Sequence, residues 1–416
     1  MPETMRALVS TAVLLACLNL AYAAKSGDRS NGEIAQELAD PNTAQAQDDS
    51  GSFWEGLIDP QDGYLDMSDW LMEKHGFLAV PILITEPAVG YGGGLAAAYL
   101  HRPNDPNSGV PNVDEGSTTA KRSVPPSITG IGGVGTENGT WGAGAGHLGV
   151  WDEDRWRYMG ALAYGNVNLN FYRPDNGRND FGGLDYRLDA WFMNQQIERR
   201  IGESNFFLGA RYVFADVDSE FDLGNDVPGI EPREYDSRTA GAGLMLGYDS
   251  RDNIFTPTRG IRMQAIASLY DEAFGGDFHY PRLDAFGYGY WNFHPDFVLG
   301  ARLDGRFTDD EVPFYHLPFI QMRGVEAMRY LGKHAVMGEL ELRWNFHERW
   351  GLVAFGGAGR TANSFSELGE AETIFTKGVG FRYLMARRLG LHAGTDFAWG
   401  PDDFAFYFTV GSAWMR

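Results

Sequence analysis

The sequence predicts an all-β protein, a transmembrane antiparallel β-barrel of sixteen strands. From residue 77 onward, the chain repeats runs of about ten residues in which apolar and polar side chains alternate. Each run ends at Gly, Pro, Asn or Asp, and glycine (54 residues) and aromatic residues (14%) are abundant. Beyond the N-terminal region, no apolar run reaches the length of a membrane-spanning helix. These observations exclude a helical membrane protein and favour strands between lipid and a lumen.

Residues 77–416 contain sixteen such runs, and we assign them together to one outer-membrane barrel domain. An even number suits a bacterial barrel with both termini in the periplasm. The predicted strands are 77–85, 88–101, 126–136, 139–151, 156–171, 184–199, 203–217, 236–249, 259–271, 281–294, 296–308, 334–346, 350–361, 373–386, 389–399 and 404–414.

The last run shows the clearest alternation. The face predicted to contact lipid carries Phe404, Phe406, Phe408, Val410 and Trp414. The face predicted to line a narrow lumen carries Ala405, Tyr407, Thr409, Gly411 and Ala413.

Connections between strands are predicted to alternate in length. The short turns fall at 136–139, Gly202 and Pro295, and the longer loops at 102–125, 172–183, 218–235 and 309–333. We expect all the longer loops to be extracellular.

Residues 1–23 are predicted to be a signal peptide for export. Arg6 precedes an apolar stretch over 7–20 and the small-x-small site Ala21-Tyr22-Ala23, so we expect cleavage after Ala23. The alternative is a lipoprotein signal in which Cys17, the only cysteine, is lipidated.

Residues 24–76 are predicted to be a flexible periplasmic segment. Polar residues dominate over 24–52. Apolar residues between Trp54 and Met72 recur loosely at helical spacing, which indicates a short amphipathic stretch that packs on the barrel rim.

The formal net charge of −22, with no basic patch to offset it, excludes a nucleic-acid partner. Enzyme motifs are poor as well. The G-x-G-x-x-G match at 144–149 lies inside an alternating run with no helix after it, and the nine histidines lack metal-ligand spacing. We therefore expect no catalytic residue, cofactor or metal.

The segment 309–333 is too apolar for a loop in water, so we expect it to fold into the barrel. It carries Arg323 and Gly324, and the strand after it turns Glu339 and Glu341 inward. A guanidinium paired with these carboxylates would fix the loop. The alternative is a porin-like constriction loop whose charges only tune conductance.

A hairpin over 249–260 is predicted to be structural. Asp249, Arg251 and Asp252 cap or turn the backbone, Pro257 fixes a turn and Gly260 begins the next strand.

Pro81 lies inside the first predicted strand, where it removes a backbone donor. In a closed barrel this strand pairs with the last one, which carries Phe404, Phe406, Phe408 and Trp414. The seam between them would be short of hydrogen bonds and could open sideways to admit a strand or a lipid. Alternatively, Pro81 only marks the start of an ordinary strand.

The C-terminal half resembles the bacterial surface antigen barrel of the BamA/TamA family. The similar features are GYDSRDNIFTPTRG at 247–260, Arg323-Gly324 in the inward loop and the closing strand FAFYFTVGSAW. The resemblance implies an outer-membrane protein that inserts other barrels or moves polypeptides. It also implies outer-membrane lipid, and unfolded outer-membrane proteins or exported polypeptides, as partners.

Two departures from the family pattern affect these expectations. The stretch between Ala23 and Phe77 is too short for a POTRA module, so we expect a barrel that lacks them. Gly357 stands where many relatives place an acidic partner for the loop arginine, so Glu339 or Glu341 would supply the carboxylate.

Three functional hypotheses follow. The first is a BamA/TamA-like barrel that aids insertion or translocation of polypeptide or lipid. The second is a passive outer-membrane pore with a loop-constricted lumen. The third, an outer-membrane hydrolase, lacks a catalytic constellation.

Overall fold

The structure, a computed structural model, describes residues 57–68, 77–86, 88–101, 127–171, 184–221, 233–309, 312–401 and 404–414. These residues form one sheet of sixteen antiparallel strands in sequence order. The sheet curls into a nearly closed barrel, so the predicted sixteen-stranded transmembrane barrel is confirmed.

The strand bounds agree with the alternating runs to within a few residues. The first eight strands are β1 (Phe77–Ile84), β2 (Gly92–Leu100), β3 (Ile128–Thr136), β4 (Trp141–Trp151), β5 (Trp156–Phe171), β6 (Leu184–Arg200), β7 (Phe206–Phe221) and β8 (Arg233–Asp249). The other eight are β9 (Gly260–Tyr270), β10 (Tyr280–His294), β11 (Phe297–Thr308), β12 (His334–Trp344), β13 (Trp350–Ala362), β14 (Ile374–Ala386), β15 (Leu391–Trp399) and β16 (Phe404–Val410). Short 3-10 helices occur at Glu272–Phe274, Phe314–His316, Phe365–Glu367 and Arg387–Leu389.

The up-and-down order fixes the end at which each connection lies. We call the end where β1 begins and β16 ends the terminal end, and the other the loop end. β5, β7 and β11 end at the loop end, whereas β2 ends and β3 begins at the terminal end. The prediction that all long loops share one side is therefore wrong, because strand parity decides the side of a connection and its length does not.

The outer surface carries an apolar band between two aromatic girdles, as expected where strands cross a bilayer. Exposed aromatic side chains near the terminal end are Tyr99, Trp151, Phe206, Trp291, Phe293, Trp344, Phe346 and Trp350. Those near the loop end include Tyr91, Trp141, Trp191, Phe375, Trp399 and Phe404. Between them lie exposed aliphatic residues such as Leu95, Ile131, Leu162, Leu244, Leu303 and Leu340.

The connection between β11 and β12 folds into the barrel interior. Apolar residues of the connection between β11 and β12 pack against the inner wall, with Tyr315, Phe319, Ile320, Met328 and Leu331 each exposed by 2% or less. Within the part of the chain that the structure describes, no helix is long and apolar enough to cross a membrane.

The predicted signal peptide 1–23, the Cys17 alternative and residues 24–56 and 69–76 lie outside the described residues. Residues 57–68, which we call the N-terminal turn, lie on the terminal end of the barrel. A β-bridge between Ile58 and Leu65 closes this turn, and the amide of Asp59 donates to the carbonyl of Tyr64 (2.9 Å). The helical spacing of apolar residues therefore does not form a continuous helix over 58–67.

Candidate functional site

The inward loop, residues 312–333, places one arginine among three carboxylates. Arg323 donates from Nη1 to Glu341 (2.7 Å) and Asp396 (2.9 Å), and from Nε to Glu339 (3.3 Å). Its guanidinium carbon lies 3.6 Å from the ring centroid of Phe355. The side chain is only 9% exposed, so these groups replace the water that the guanidinium leaves.

The same carboxylates also bind arginines of the barrel wall. Arg302 on β11 pairs with Glu339 (2.7 Å) and Asp304 (2.6 Å), and Arg382 on β14 pairs with Asp396 (2.6 Å). We call this set the arginine cluster: Arg302, Arg323 and Arg382 with Asp304, Glu339, Glu341 and Asp396. The cluster joins the loop to four strands, and removal of Arg323 would take away the ion-pair partner of the buried Glu341.

Sequence reasoning named Glu339 and Glu341 but missed Asp396. The alternation along β15 contained the signal, since Asp396 lies on the face opposite Phe397 and Trp399. Gly357 explains why the third carboxylate comes from β15. A Cβ atom at Gly357 would lie 2.9 Å from Cγ of Glu339 and 3.0 Å from Sδ of Met322, so an acidic side chain there has no room.

Gly324 brings the tip of the inward loop against the last two strands. Its φ of +86° is a conformation that favours glycine. Its amide donates to the hydroxyl of Tyr407 on β16 (3.0 Å). A Cβ atom at Gly324 would lie 3.0 Å from the backbone nitrogen of Gly400, so these two backbone segments are in direct contact.

Trp414 does not lie on the lipid face of the seam. Gly411 adopts a φ of +80°, which ends β16 at Val410 and turns the chain inward. Trp414 is 3% exposed, and its indole Nε1 donates to Glu339 (3.1 Å). Val410 is buried too. The prediction of one lipid-facing row over 404–414 is therefore wrong for Trp414, because the left-handed Gly411 breaks the alternation before it. It is also wrong for Val410, which still pairs with Ala393 in the ladder but packs in an apolar cluster that includes Leu391.

The hairpin 249–260 is built around two aspartates. Asp249 is fully buried and accepts hydrogen bonds from Arg157 (3.0 Å), Arg251 (3.0 Å) and Arg262 (3.3 Å). Asp252 accepts from the backbone amides of Asn253 (2.9 Å) and Thr258 (3.0 Å), which closes the loop.

Two further hairpin residues have defined contacts. The carbonyl of Pro257 accepts from Arg343 (3.2 Å). Gly260 has a φ of +98°, and a Cβ there would lie 2.3 Å from the carbonyl oxygen of Ser250. Both contacts position backbone, which agrees with a structural use of the hairpin.

The seam separates β1 from β16. Within the described residues, ladders join each strand to its sequence neighbours, and no ladder joins β1 to β16. Pro81 lies in β1 opposite Leu95 of β2. Phe404 (50%) and Phe408 (42%) are exposed on the outer face of β16, and the ring centroid of Phe406 lies 5.8 Å from that of Tyr91.

Glu86, in the connection after β1, links the seam to the inward loop. Its carboxylate accepts from the amide of Ala327 (3.2 Å). Burial raises the pKa of Glu86 to about 7, and the charge of Glu326 adds to the effect. Sequence reasoning had no signal for this residue, because the contact joins positions far apart in the chain.

A second buried arginine holds the N-terminal turn on the terminal end. Arg349, between β12 and β13, is 1% exposed and pairs with Asp59 (2.5 Å), Asp62 (2.5 Å) and Asp66 (2.6 Å). The hydrogen bond from Arg349 lowers the pKa of Asp62 to about 2, despite the opposing effect of desolvation. The amide of Met67 also donates to the carbonyl of Met385 (2.8 Å). The ion pairs of Arg349 and the backbone hydrogen bond from Met67 to Met385 thus both anchor the N-terminal turn.

Comparison with known proteins supports the fold. The family described as the Omp85 superfamily domain matches residues 151–414. Among solved structures, the chain is similar to BamA from Haemophilus ducreyi lacking POTRA domains 1–3, with a TM-score of 0.51 and 14% identity over 80% of this chain and 69% of that chain. It is also similar to CdiB from Escherichia coli, with a TM-score of 0.53 and 9% identity over 79% of this chain and 61% of that chain.

CdiB from Acinetobacter baumannii gives a TM-score of 0.49 and 12% identity, over 80% of this chain and 59% of that one. The chain thus spans less than two thirds of the length of either CdiB chain. At such low sequence identity, structural similarity to these proteins shows the fold alone. No curated protein matches the chain.

Replacement of Arg323 by alanine should release the inward loop. Three carboxylates would lose their shared cation, at a cost of about 3–5 kcal/mol. We expect residues 312–333 to become accessible to protease added at the loop end of the barrel in proteoliposomes. The control is Arg259→Ala, because Arg259 is 75% exposed and makes only a long ion pair. An unchanged digestion pattern for Arg323→Ala would contradict the lock.

The contact between Glu86 and the inward loop should weaken as pH rises. The pKa of Glu86 is higher in the folded protein than in the unfolded chain. Its contribution to stability is therefore complete below its ordinary pKa of 4.5 and is lost as pH rises through about 7. Hydrogen exchange of the amide of Ala327 should accelerate between pH 6 and pH 8, by roughly tenfold beyond the intrinsic rate. Glu86→Gln should remove this extra acceleration, and an identical pH profile in both proteins would refute the assignment.

Replacement of Arg349 by alanine should detach the N-terminal turn. Three aspartates would lose their buried cation, and the more exposed Arg387 would remain beside only Asp59 and Asp62. Amide exchange over 57–68 should therefore rise by at least roughly tenfold. Arg259→Ala again serves as the control. If exchange over 57–68 stays slow in Arg349→Ala, the prediction is contradicted, and the remaining contacts, such as Arg387 with Asp59 (3.4 Å) and Met67 with Met385 (2.8 Å), hold the turn.

Proposed function

Since this chain belongs to the Omp85 superfamily, we propose that it is an outer-membrane barrel that aids the insertion or translocation of polypeptide or lipid. The observation that carries the proposal is the seam, where β1 and β16 face each other without a ladder among the described residues. Barrels normally remove free edges by closure, so an unpaired seam is a strand-accepting surface.

The orientation in the proposal follows general barrel architecture. Both ends of the sheet lie at the terminal end, which would face the periplasm, and the connections 172–183, 222–232 and 309–333 would face outward. A client would then approach the seam from the end that the N-terminal turn covers.

The seam offers backbone groups on two edges. β1 contributes eight residues and β16 contributes seven. An extended client segment could add to either edge, with affinity from main-chain hydrogen bonds. Lipid-facing Phe404 and Phe408 beside the edge would meet the apolar side chains of a membrane strand.

The filled interior argues against the passive pore. Ions would have to pass the inward loop, in which Ile320 and Met328 are exposed by 1% or less. They would also have to displace the arginine cluster, whose charges are already paired with each other. We therefore propose a seam-based activity with no catalytic residue, and with lipid and unfolded polypeptide as partners.

A crosslink across the seam should abolish the activity. The rings of Tyr91 and Phe406 approach to 5.8 Å. A short bifunctional maleimide should therefore join Tyr91→Cys to Phe406→Cys in a protein with Cys17 replaced. We expect the crosslinked protein to lose its acceleration of the folding of an unrelated small outer-membrane barrel in liposomes.

The matched control joins strands that are already paired. Phe397 on β15 lies opposite Phe406 on β16. In the variant Phe397→Cys, Phe406→Cys, the same reagent therefore joins β15 to β16 and leaves the seam free. This variant should keep full activity. Equal activity of both crosslinked proteins would contradict the seam mechanism.

A further inference from the structure

Two histidines and a threonine form a hydrogen-bonded row on the outer surface of the barrel, across the second, third and fourth strands. The hydroxyl of Thr129 on β3 lies 2.7 Å from Nε2 of His101 and 2.7 Å from Nδ1 of His147 on β4. Polar side chains facing lipid are costly, so such residues in a membrane barrel usually mark function or an interface. The row lies beside Tyr99 and Trp151 of the terminal-end girdle.

Strand register shows that the row faces outward. Thr129 pairs with Tyr99 of β2 and with His147 of β4, and Tyr99 is 37% exposed. Along β4, His147 follows the outward residues Ala143 and Ala145 at two-residue spacing. The three side chains therefore lie at the level where lipid headgroups meet the barrel.

The hydrogen bonds leave one outward donor even when both rings are neutral. A hydroxyl has one proton, so Thr129 donates to one imidazole and accepts from the other. The ring that accepts must carry its proton on the opposite nitrogen, and that N–H has no partner among the described residues. Protonation of the other ring would give a second donor. The row is thus suited to bind an anion.

A groove one strand wide leads from this row toward the middle of the barrel. Its floor is the outer face of β4, where Ala143 and Ala145 are small. Its walls at the level of Ala145 are Ile131 on β3 (57% exposed) and Leu162 on β5 (49% exposed), each in register with Ala145. Neighbouring strands lie about 4.8 Å apart, so the walls leave room for one acyl chain.

The end of the groove is closed by an aromatic ring. The ring of Trp151 lies across Gly149, since a Cβ atom at Gly149 would be 2.3 Å from Cζ2 of Trp151. This ring stacks beside His147, with the centroids 6.1 Å apart and an interplanar angle of 26°. Trp at a membrane interface prefers the level of the headgroups. The indole therefore holds the imidazole at that level.

We propose that this surface binds one phospholipid, with the phosphate on His101 and His147 and an acyl chain along β4. The site combines an anion donor with an apolar groove in the direction that a lipid takes in a bilayer. With the orientation proposed above, the lipid belongs to the periplasmic leaflet. Binding itself depends only on the outer wall of the barrel and can be tested without any folding activity.

Native mass spectrometry of the detergent-purified protein with phosphatidylglycerol tests the site. We expect one tightly bound lipid, with affinity reduced by roughly tenfold in the variant His101→Phe, His147→Phe, because phenylalanine has no donor and a hydrogen bond to a charged group is lost. Ala145→Leu, which fills the groove, should reduce binding by a similar factor. The matched controls are His294→Phe, at the same end of the barrel, and Ala210→Leu, on the exposed face of β7.

Further ligands separate the possible sources of binding. Diacylglycerol lacks the phosphate and should bind at least roughly tenfold more weakly. Equal binding of both lipids would mean non-specific annular lipid and would overturn the site. Inorganic phosphate should not displace the lipid, and displacement would indicate a free anion site. Tight binding of Zn²⁺ that survives Ala145→Leu would indicate a metal site instead. Undiminished lipid binding in both variants would also refute the proposal.

Discussion

The structure depends on one buried guanidinium. Arg323 is shared by Glu339, Glu341 and Asp396, and each carboxylate would be costly to bury without it. The three acids come from β12 and β15, so the arginine holds the inward loop to both strands at once. This cluster holds the loop inside the barrel, and the loop tip reaches β16 through the hydrogen bond from Gly324 to Tyr407.

The inward loop and its paired charges lie inside the barrel. Among the described residues, no ladder joins β1 to β16 across the seam. The loop tip supports the β16 side through Tyr407, and Glu86 contacts the same loop from the β1 side. One loop therefore contacts both sides of the seam, which couples the filled lumen to the edge strands.

Much of this architecture could be predicted from alternation alone. The alternation of apolar and polar residues predicted the strands. It also predicted that Glu339 and Glu341 point inward, because their neighbours Leu340 and Leu342 are apolar. It did not reveal Trp414, since the left-handed Gly411 ends the alternation, or the three aspartates around Arg349, since those contacts join distant parts of the chain. The side of the loop between β2 and β3 was also missed, because loop length is a weaker guide than strand parity.

The most direct test of the account is the folding rate of an unrelated small outer-membrane barrel in liposomes with and without this protein, measured together with ion conductance. The account predicts faster folding and little conductance, because the seam accepts strands while the loop fills the lumen. Unchanged folding with steady conductance would contradict it and would leave a passive pore built on the same fold.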